Sequence, residues 1–498
     1  MCWILVVGCT AAVDPLAPGD VGRYWAALRG HGHAQTAQTY WFEWKPQMLD
    51  WNWAYQGPHR HAPAGEPPTG DAPLTEWITG LAPATAYDYR ICGIADGDTR
   101  TACTDPGSFT TAAATSLRWV GIDPAAPTRL ALDDGSRFVP WGNNYTNANP
   151  NHVRNTLPED LMYSDLATIL VDLDKLADVA PPDGRGNVIR LHVQMHRFLI
   201  DATTVAPEAF ARLARVIEAA EDRGLYVMLC GLGYRYPHDN PLWIAQQDET
   251  ARWATQSLWW NTMAHALVNS PGIFAYDLMN EPTSPTGSVV QDGVAWLGGV
   301  APDQFCAYGS DAVTGNHGSC WGQQVTPDAA GRTRIQIAAQ WTQRMVGAIR
   351  HTSYFPNDTR HLITIGVAGA FLLANPFFDA TVNQYLDFIS PHLYPNSADN
   401  STAKIGVAAA LSASTGKPVI VGETFYLGGD PHRLISQTCS DGTAQGWIGQ
   451  FDGRIVGEPC TQPGGCLAFG PALYDAWYQL QAEYGPTITA GGCPARIP

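Results

Sequence analysis

The stretch IFAYDLMNE, Ile273 to Glu281, sets an apolar run directly against Asn280 and Glu281, with Pro282 just beyond. It reads as a buried strand closed by an amide and a carboxylate. On either side of it, from about Ser116 onward, short apolar runs alternate with helical stretches, the pattern of a βα repeat and a parallel sheet. The predicted strands are RFVPWGNN (137–144), NVIRLHV (187–193), LYVMLCG (225–231), IFAYDLMNE (273–281), HLITIG (361–366), DFISPHLY (387–394), PVIVGE (418–423) and GWIGQF (446–451). Eight strands close a (β/α)8 barrel, so the expected fold class is α/β, a TIM barrel. Between them, PEAFARLARVIEAAEDRG (207–224) and TARWATQSLWWNTMAHALVN (250–269) carry apolar residues at helical spacing and end near Gly or Asn. Trp259 and Trp260 fall on the second of these and read as outer-layer core. The barrel region, 115–498, is roughly 380 residues where a plain barrel needs about 250. The surplus falls mainly in a Gly-rich loop from about Thr283 to Arg332.

Upstream of about Ala114 the pattern is all-β. GRYWAALRG, TYWFEWKP, TEWITGL, AYDYRICGI and GSFTTA alternate between Gly, Pro and Asp clusters, which predicts a small sandwich over residues 1–114. His31, His33, His59 and His61 lie in Gly/Pro surroundings and read as solvated loop residues rather than metal ligands. The opening MCWILVVGCTAA contains Val6-Val7-Gly8-Cys9, similar to a lipoprotein cleavage box with Cys9 as the acylated residue, although it lacks a positive n-region. Residues 1–12 are therefore either a signal or lipobox remnant, a truncated start, or a first strand. No other run approaches the ~18 apolar residues of a membrane span.

Of the 498 residues 45% are hydrophobic and only 15% charged, enough for a large core beside a small domain. The net charge of -17 argues against a nucleic-acid partner, which would need a basic face. Eighteen Trp and 19 Tyr offer flat apolar faces with polar edges, which suit sugar rings as well as packing. Eleven Cys point to an oxidising compartment, secreted or cell-surface. Cys92 and Cys103 flank a hairpin-like turn and predict a cross-strand disulfide; Cys306 and Cys320 can staple the long insertion. Cys439, Cys460, Cys466 and Cys493 leave three pairings open, and Cys230 reads as a buried free thiol.

In a barrel of this kind, residues at the C-terminal ends of the strands line the active face. Those ends offer Trp141, Asn143 and Asn144; Arg190 and His192; Cys230; Asn280 and Glu281; His392 and Tyr394; Glu423; and Trp447 with Phe451. A glycosidic bond is cleaved by two carboxyl groups flanking the anomeric carbon, one protonated to assist the leaving oxygen and one ionised to attack or to activate water. Glu281 and Glu423, on the fourth and seventh strands, would face each other across the mouth. Arg190 would favour the ionised form of Glu423, while a partly desolvated site would keep a proton on Glu281. Asp277, surrounded by apolar residues, reads as a structural carboxylate. His192 and His196 have no third ligand in view, so no metal is expected there. Trp321, in the insertion, is a candidate sugar-stacking residue.

The ordered set Arg190 in VIRLH, Asn280-Glu281-Pro282, His392-Leu393-Tyr394 and Gly422-Glu423 resembles a clan A glycoside hydrolase, most closely family 5 of the cellulase and mannanase superfamily. The resemblance implies Glu281 as acid/base and Glu423 as nucleophile, with Asn280 on the sugar 2-hydroxyl. It also implies that Arg190 and Tyr394 hold the nucleophile ionised and aimed, and that His392 contacts the substrate or the acid/base. Separately, TYWFEW (39–44), LAPATAYDYR (81–90) and GSFTTA (107–112) resemble a fibronectin type III domain, which would act as a spacer or docking module.

The chain departs from the family pattern in two places. Cys230-Gly231-Leu232 stands where a His often ends the third strand, and GWIGQFDG offers Trp447 and Phe451 where an aromatic-rich segment often ends the eighth. The expected function is a retaining β-glycoside hydrolase acting by double displacement on a polysaccharide or oligosaccharide. The alternatives are an inert carbohydrate-binding surface protein and a transglycosylase using the same Glu pair. No metal or organic cofactor is implied, the expected partner is a β-linked glycan, and the expected state is a monomer.

Overall fold

The computed structural model describes residues 9–14, 16–17, 20–34, 38–62, 73–145, 166–178, 186–233, 243, 247–282, 290–291, 294–295, 325–326, 330–351, 357–367, 375–395, 398–426, 429, 431–451 and 471–497. The chain divides into two compact units, Met1–Ala114 with Pro207–Glu218, and Thr115–Ala206 with Ala219–Pro498.

The N-terminal region is a pair of antiparallel sheets, as the alternating pattern predicts. Cys9–Val13, Trp25–Ala34 and Pro73–Thr79 form one. Gln38–Pro46 and Ala86–Ala95 form the centre of the other, with short edge strands beside them. Alternate residues of both sheets point into one core of Ala26, Leu28, Phe42, Ile78, Tyr87, Tyr89, Ile91 and Phe109. Each fully buried large apolar side chain there contributes about 1.5–3 kcal/mol. Cys92 and Cys103 face each other across a strand pair and are joined, as expected. Cys9 opens the first strand, paired with Ala34.

In the second unit eight parallel strands form one sheet: β1 (Trp141–Tyr145), β2 (Val188–Gln194), β3 (Tyr226–Gly233), β4 (Ile273–Asn280), β5 (Leu362–Val367), β6 (Ser390–Pro391), β7 (Ile420–Val421) and β8 (Gly446–Gln450). Neighbours in sequence are neighbours in space, and β8 pairs with β1. Parallel bridges Ile389 to Val419 and His392 to Glu423 join β6 to β7 and close the ring. A helix follows every strand: α1 (Leu166–Asp178), α2 (Pro207–Glu221), α3 (Glu249–Leu267), α4 (Arg334–Arg350), the short α5 (Ala380–Asn383), α6 (Ala398–Thr415), α7 (Pro431–Ser440) and α8 (Pro471–Thr489). The fold is a (β/α)8 TIM barrel.

Capping fixes where the helices begin. Asp248 accepts from the Ala251 amide at the start of α3, and Thr333 with Gln336 forms a capping box on α4. Trp259 and Trp260 of α3 are fully buried, packed edge to face at 4.7 Å, in the outer layer as expected. They explain Gly231: a Cβ there would lie 2.6 Å from each indole, so only glycine lets β3 pass beneath them.

One predicted strand divides. RFVPWGNN splits at Pro140, which has no amide proton for a sheet ladder. Arg137–Phe138 joins Val120–Ile122 and Leu130–Leu132 in a small antiparallel sheet, and only Trp141–Tyr145 enters the barrel. Phe138, Val120 and Leu130 pack with Val188, Met228, Ala275, Leu362, Phe388, Ile420 and Ile448, plugging one end of the barrel. Cys439 is joined to Cys493, and Cys230 is a buried free thiol as expected. Cys306, Cys320, Cys460 and Cys466 lie outside the described residues, as does most of the 283–332 insertion.

Candidate active site

At the other end of the barrel the strand positions that face inward carry polar groups, centred on Arg190, which has no exposed surface. Its Nε and Nη2 donate to one Asp277 oxygen at 2.9 and 2.7 Å, and Nη2 also reaches Asn280 Oδ1 at 2.9 Å. Nη1 donates to Glu423 Oε1 at 2.6 Å and to Asn144 Oδ1 at 2.8 Å, and lies 2.8 Å from His192 Nε2. A buried guanidinium survives only with such complete pairing. Asp277, also fully buried, spends its second oxygen on the Gly366 amide at 2.7 Å, so it anchors the arginine, as its apolar surroundings predicted. Gly366 has to be glycine, because a Cβ would lie 2.7 Å from Arg190 Nη2, Asp277 Oδ2 and His392 Nε2.

Asn144 holds the far wall. Its amide donates to the carbonyls of Gly422 and Gly449 at 3.1 and 2.8 Å, while its oxygen accepts from Arg190. It is 1% exposed, so it positions neighbours and has little surface of its own to offer a ligand.

Glu281 and Glu423 both approach His392 but sit in different surroundings. Glu423 is 12% exposed at its side chain; one oxygen accepts from Arg190 and the other from the Tyr394 hydroxyl at 2.5 Å. Burial alone would raise its pKa, but the neighbouring His392, Arg190 and His192 together with the Tyr394 hydrogen bond outweigh it and hold the carboxyl below its ordinary value. Burial and the Glu423 charge push the Tyr394 hydroxyl well above its usual pKa, so it stays a donor. Glu281 is more open, 27% exposed, and accepts or shares a proton with His392 Nδ1 at 2.7 Å. Its backbone is left-handed, φ 49°, an uncommon state for a non-glycine residue that turns the chain sharply at the end of β4. The Glu281 amide is held by the Gly366 carbonyl at 2.7 Å.

One oxygen from each glutamate and a His392 nitrogen all lie within 4.8 Å of one another. Among the described residues these three have donors close enough to share a cation, as do Glu43, Cys92 and Cys103, whose sulfurs are consumed in a disulfide.

The structure thus gathers Glu281, Glu423, Arg190, His192, Asn280, His392, Tyr394 and Asn144 at one end of the barrel. It places the three tryptophan and phenylalanine candidates of β1 and β8 elsewhere. Trp141 is fully buried and packs edge to face with Trp447 and against Trp477 of α8. Trp447 donates its indole N–H to Thr438 on α7, and Phe451 packs between Tyr145 and Tyr478. All three point to the helix layer, so none presents a face to a sugar. Alternation explains it: on β1 and β8 the inward positions are Gly142 and Asn144, Ile448 and Gln450, and the aromatics occupy the opposite parity. The same parity reveals a residue the sequence reading passed over. Gln450 donates from Nε2 to the Tyr394 hydroxyl at 2.9 Å. Trp321 and the side chain of His196 lie outside the described part of the structure.

A TIM barrel with two carboxylates at the ends of its strands, one of them paired with a buried arginine, is an arrangement suited to chemistry on glycosidic bonds. The cellulase family model, glycosyl hydrolase family 5, matches residues 182–437, just over half of the chain, and the chain belongs to that family. The family is one of glycosyl hydrolases.

Among solved structures it is similar to an exo-β-1,4-mannosidase from Opitutaceae bacterium strain TAV5, at 16% identity and TM-score 0.49, over 72% of this chain and 61% of that one. It is also similar to a β-1,4-D-mannanase from Cryptopygus antarcticus, at 15% and 0.48, over 76% and 98%. A third is an endo-1,4-β-mannanase from Eisenia fetida, at 16% and 0.44, over 68% and 90%. The chain spans 61% of the length of the first of these. No curated protein matches it.

Proposed function

We propose that the protein is a retaining β-glycoside hydrolase in which Glu423 is the nucleophile and Glu281 the acid/base. The observation that carries this reading is the proximity of the two carboxylates, with oxygens within 4.8 Å. Retaining sites need carboxyl groups about 5–5.5 Å apart, whereas inverting sites leave about 6.5–9.5 Å for a water. Their unequal environments support the division of labour. Glu423, ionised between Arg190 and Tyr394, attacks the anomeric carbon while Glu281, as a carboxylic acid, gives its proton to the departing glycosidic oxygen. The sugar is then an ester of Glu423. Glu281, now a carboxylate, takes a proton from water as that water attacks the same carbon and releases Glu423. Asn280, at the mouth beside Glu281, is the group we assign to the sugar 2-hydroxyl; His392 holds Glu281, and His192 is the substrate-facing residue on β2.

On this reading residues 115–498 are the catalytic domain and residues 1–114 a fibronectin type III-like module that precedes it in the chain. The disulfides Cys92–Cys103 and Cys439–Cys493 favour an extracellular or cell-surface location. No helix among the described residues is long and apolar enough to cross a membrane.

The test is turnover of a panel of aryl β-glycosides and β-linked polysaccharides by wild type, E423A and E281A. Each variant should lose several orders of magnitude in kcat, and azide should partly restore E423A by attacking the anomeric carbon in place of the missing carboxylate. Near wild-type turnover in either variant would defeat the reading, and sugar binding without product release by the wild type would favour a lectin-like role.

A further inference from the structure

Tyr394 carries one hydroxyl proton and stands between two partners. Glu423 Oε2 lies 2.5 Å away and Gln450 Nε2 lies 2.9 Å away on the other side. An ionised carboxylate is the stronger acceptor and takes the proton. The Gln450 neighbour must then donate, which an amide nitrogen does and a carboxylate or carbonyl cannot. Gln450 is held in register for this: its backbone pairs with Asn144 on β1, the residue whose side chain bonds the same Arg190 that bonds Glu423.

We propose that Gln450 is a positioning residue for the reaction, which acts through Tyr394 by donating to its oxygen and so committing the tyrosine's only proton to the nucleophile Glu423. This rests on the assignment of Glu423 made above. A donor onto the phenolic oxygen polarises the O–H and strengthens its bond to the carboxylate beyond. It also closes off the competing arrangement in which Tyr394 turns its proton away from Glu423 and leaves one oxygen of that carboxylate bare. Among the described residues, the other titratable and charged groups facing Glu423 are Arg190 and His192 from β2, Cys230 from β3, His392 from the β6 end and Glu281 from the β4 end.

The experiment is a double-mutant cycle of Q450L and Y394F on the 4-nitrophenyl β-glycoside that the wild type turns over fastest, with kcat/KM measured across pH, and with Q450E as an isosteric control. Loss of one neutral donor in Q450L should cost on the order of 10-fold in kcat/KM, and in the Y394F background the same change should cost nothing further, because the proton it directs is gone. Q450E keeps the volume but replaces the donor by an acceptor once ionised. It should lose on the order of 100-fold at neutral pH and recover as pH falls and the introduced carboxyl regains a proton to donate, a reversal no packing role would produce. In parallel, each protein is treated with a 2-deoxy-2-fluoro glycosyl fluoride and the labelled peptide located by mass. Losses of Q450L and Y394F that simply add, or a Q450E profile with the wild-type shape, would overturn the role of Gln450 while the label stays on Glu423. A label on another residue would instead overturn the assignment of Glu423.

Discussion

In the plugged end of the barrel β2, β3, β4, β7 and β8 contribute Val188, Met228, Ala275, Ile420 and Ile448. Two residues further along, the same strands contribute Arg190, Cys230, Asp277, Gly422 and Gln450. Both sets point inward, because side chains two apart share a face. One step of the pleat therefore exchanges an apolar plug for a charged network, and the two ends answer to different physics. The plug is stabilised by burial and packing density, so it tolerates shape changes only at a cost in stability. The network gains little from burial and holds together because every charge has a partner at hydrogen-bond distance. On the proposed reading, it yields a carboxylate kept ionised and aimed without reorganising when the substrate arrives.

Several variants test that contrast, and the largest effect is expected at the centre of the network. R190M leaves Asp277 buried without its partner and should destabilise the fold by about 3–5 kcal/mol, the cost of breaking a buried ion pair. In whatever remains folded, the acid limb of kcat/KM should move to higher pH because Glu423 loses a cation that lowers its pKa. Denaturant unfolding and a pH–rate profile check both halves. I448A, in the plug, should cost about 2–4 kcal/mol in the same unfolding measurement while leaving kcat per folded molecule near wild type. A large fall in kcat with unchanged stability would show that the two ends are not separable in this way. Y394F removes a hydrogen bond to a charged group and should cost about 1.5–3 kcal/mol in transition-state stabilisation, read from kcat/KM, with the acid limb again displaced upward.

The smallest effect expected is the pH dependence of stability. The folded protein holds Glu423 below its ordinary pKa, so its ionisation contributes stability above the unfolded value, about 4.3, and that contribution is lost as pH falls through the folded value. E423Q should be less stable than wild type near neutral pH by an amount on the order of 1 kcal/mol, and the gap should close as pH drops below about 4. A gap that widens on acidification would contradict the charge arrangement.

Much of this was legible in the sequence because parallel barrel strands are buried on both faces and stand out as apolar runs between amphipathic helices. Glu281 and Glu423 stand out in the sequence at strand ends, where side chains reach the mouth. The aromatic candidates failed on the facing rule. Trp141, Trp447 and Phe451 lie at the right ends of β1 and β8 but at the outward parity, and the helix layer of Thr438, Trp477 and Tyr478 takes them. Counting by twos from Asn144 would have excluded Trp141, and counting from Gln450 would have excluded Trp447 and Phe451. The division of RFVPWGNN was likewise signalled by Pro140, which cannot donate to a ladder. The left-handed turn at Glu281 has no sequence signal, since a glutamate is not the residue that conformation favours.

The central claim is that Glu281 and Glu423 act as a retaining pair, and the stereochemistry of the first product tests it most directly. Proton NMR should follow the anomeric signals during hydrolysis of an aryl β-glycoside, fast enough to precede mutarotation. The β-anomer should appear first, with the α-anomer growing in only afterwards. An α-anomer as the initial product would mean inversion, and the double displacement through Glu423 would be wrong.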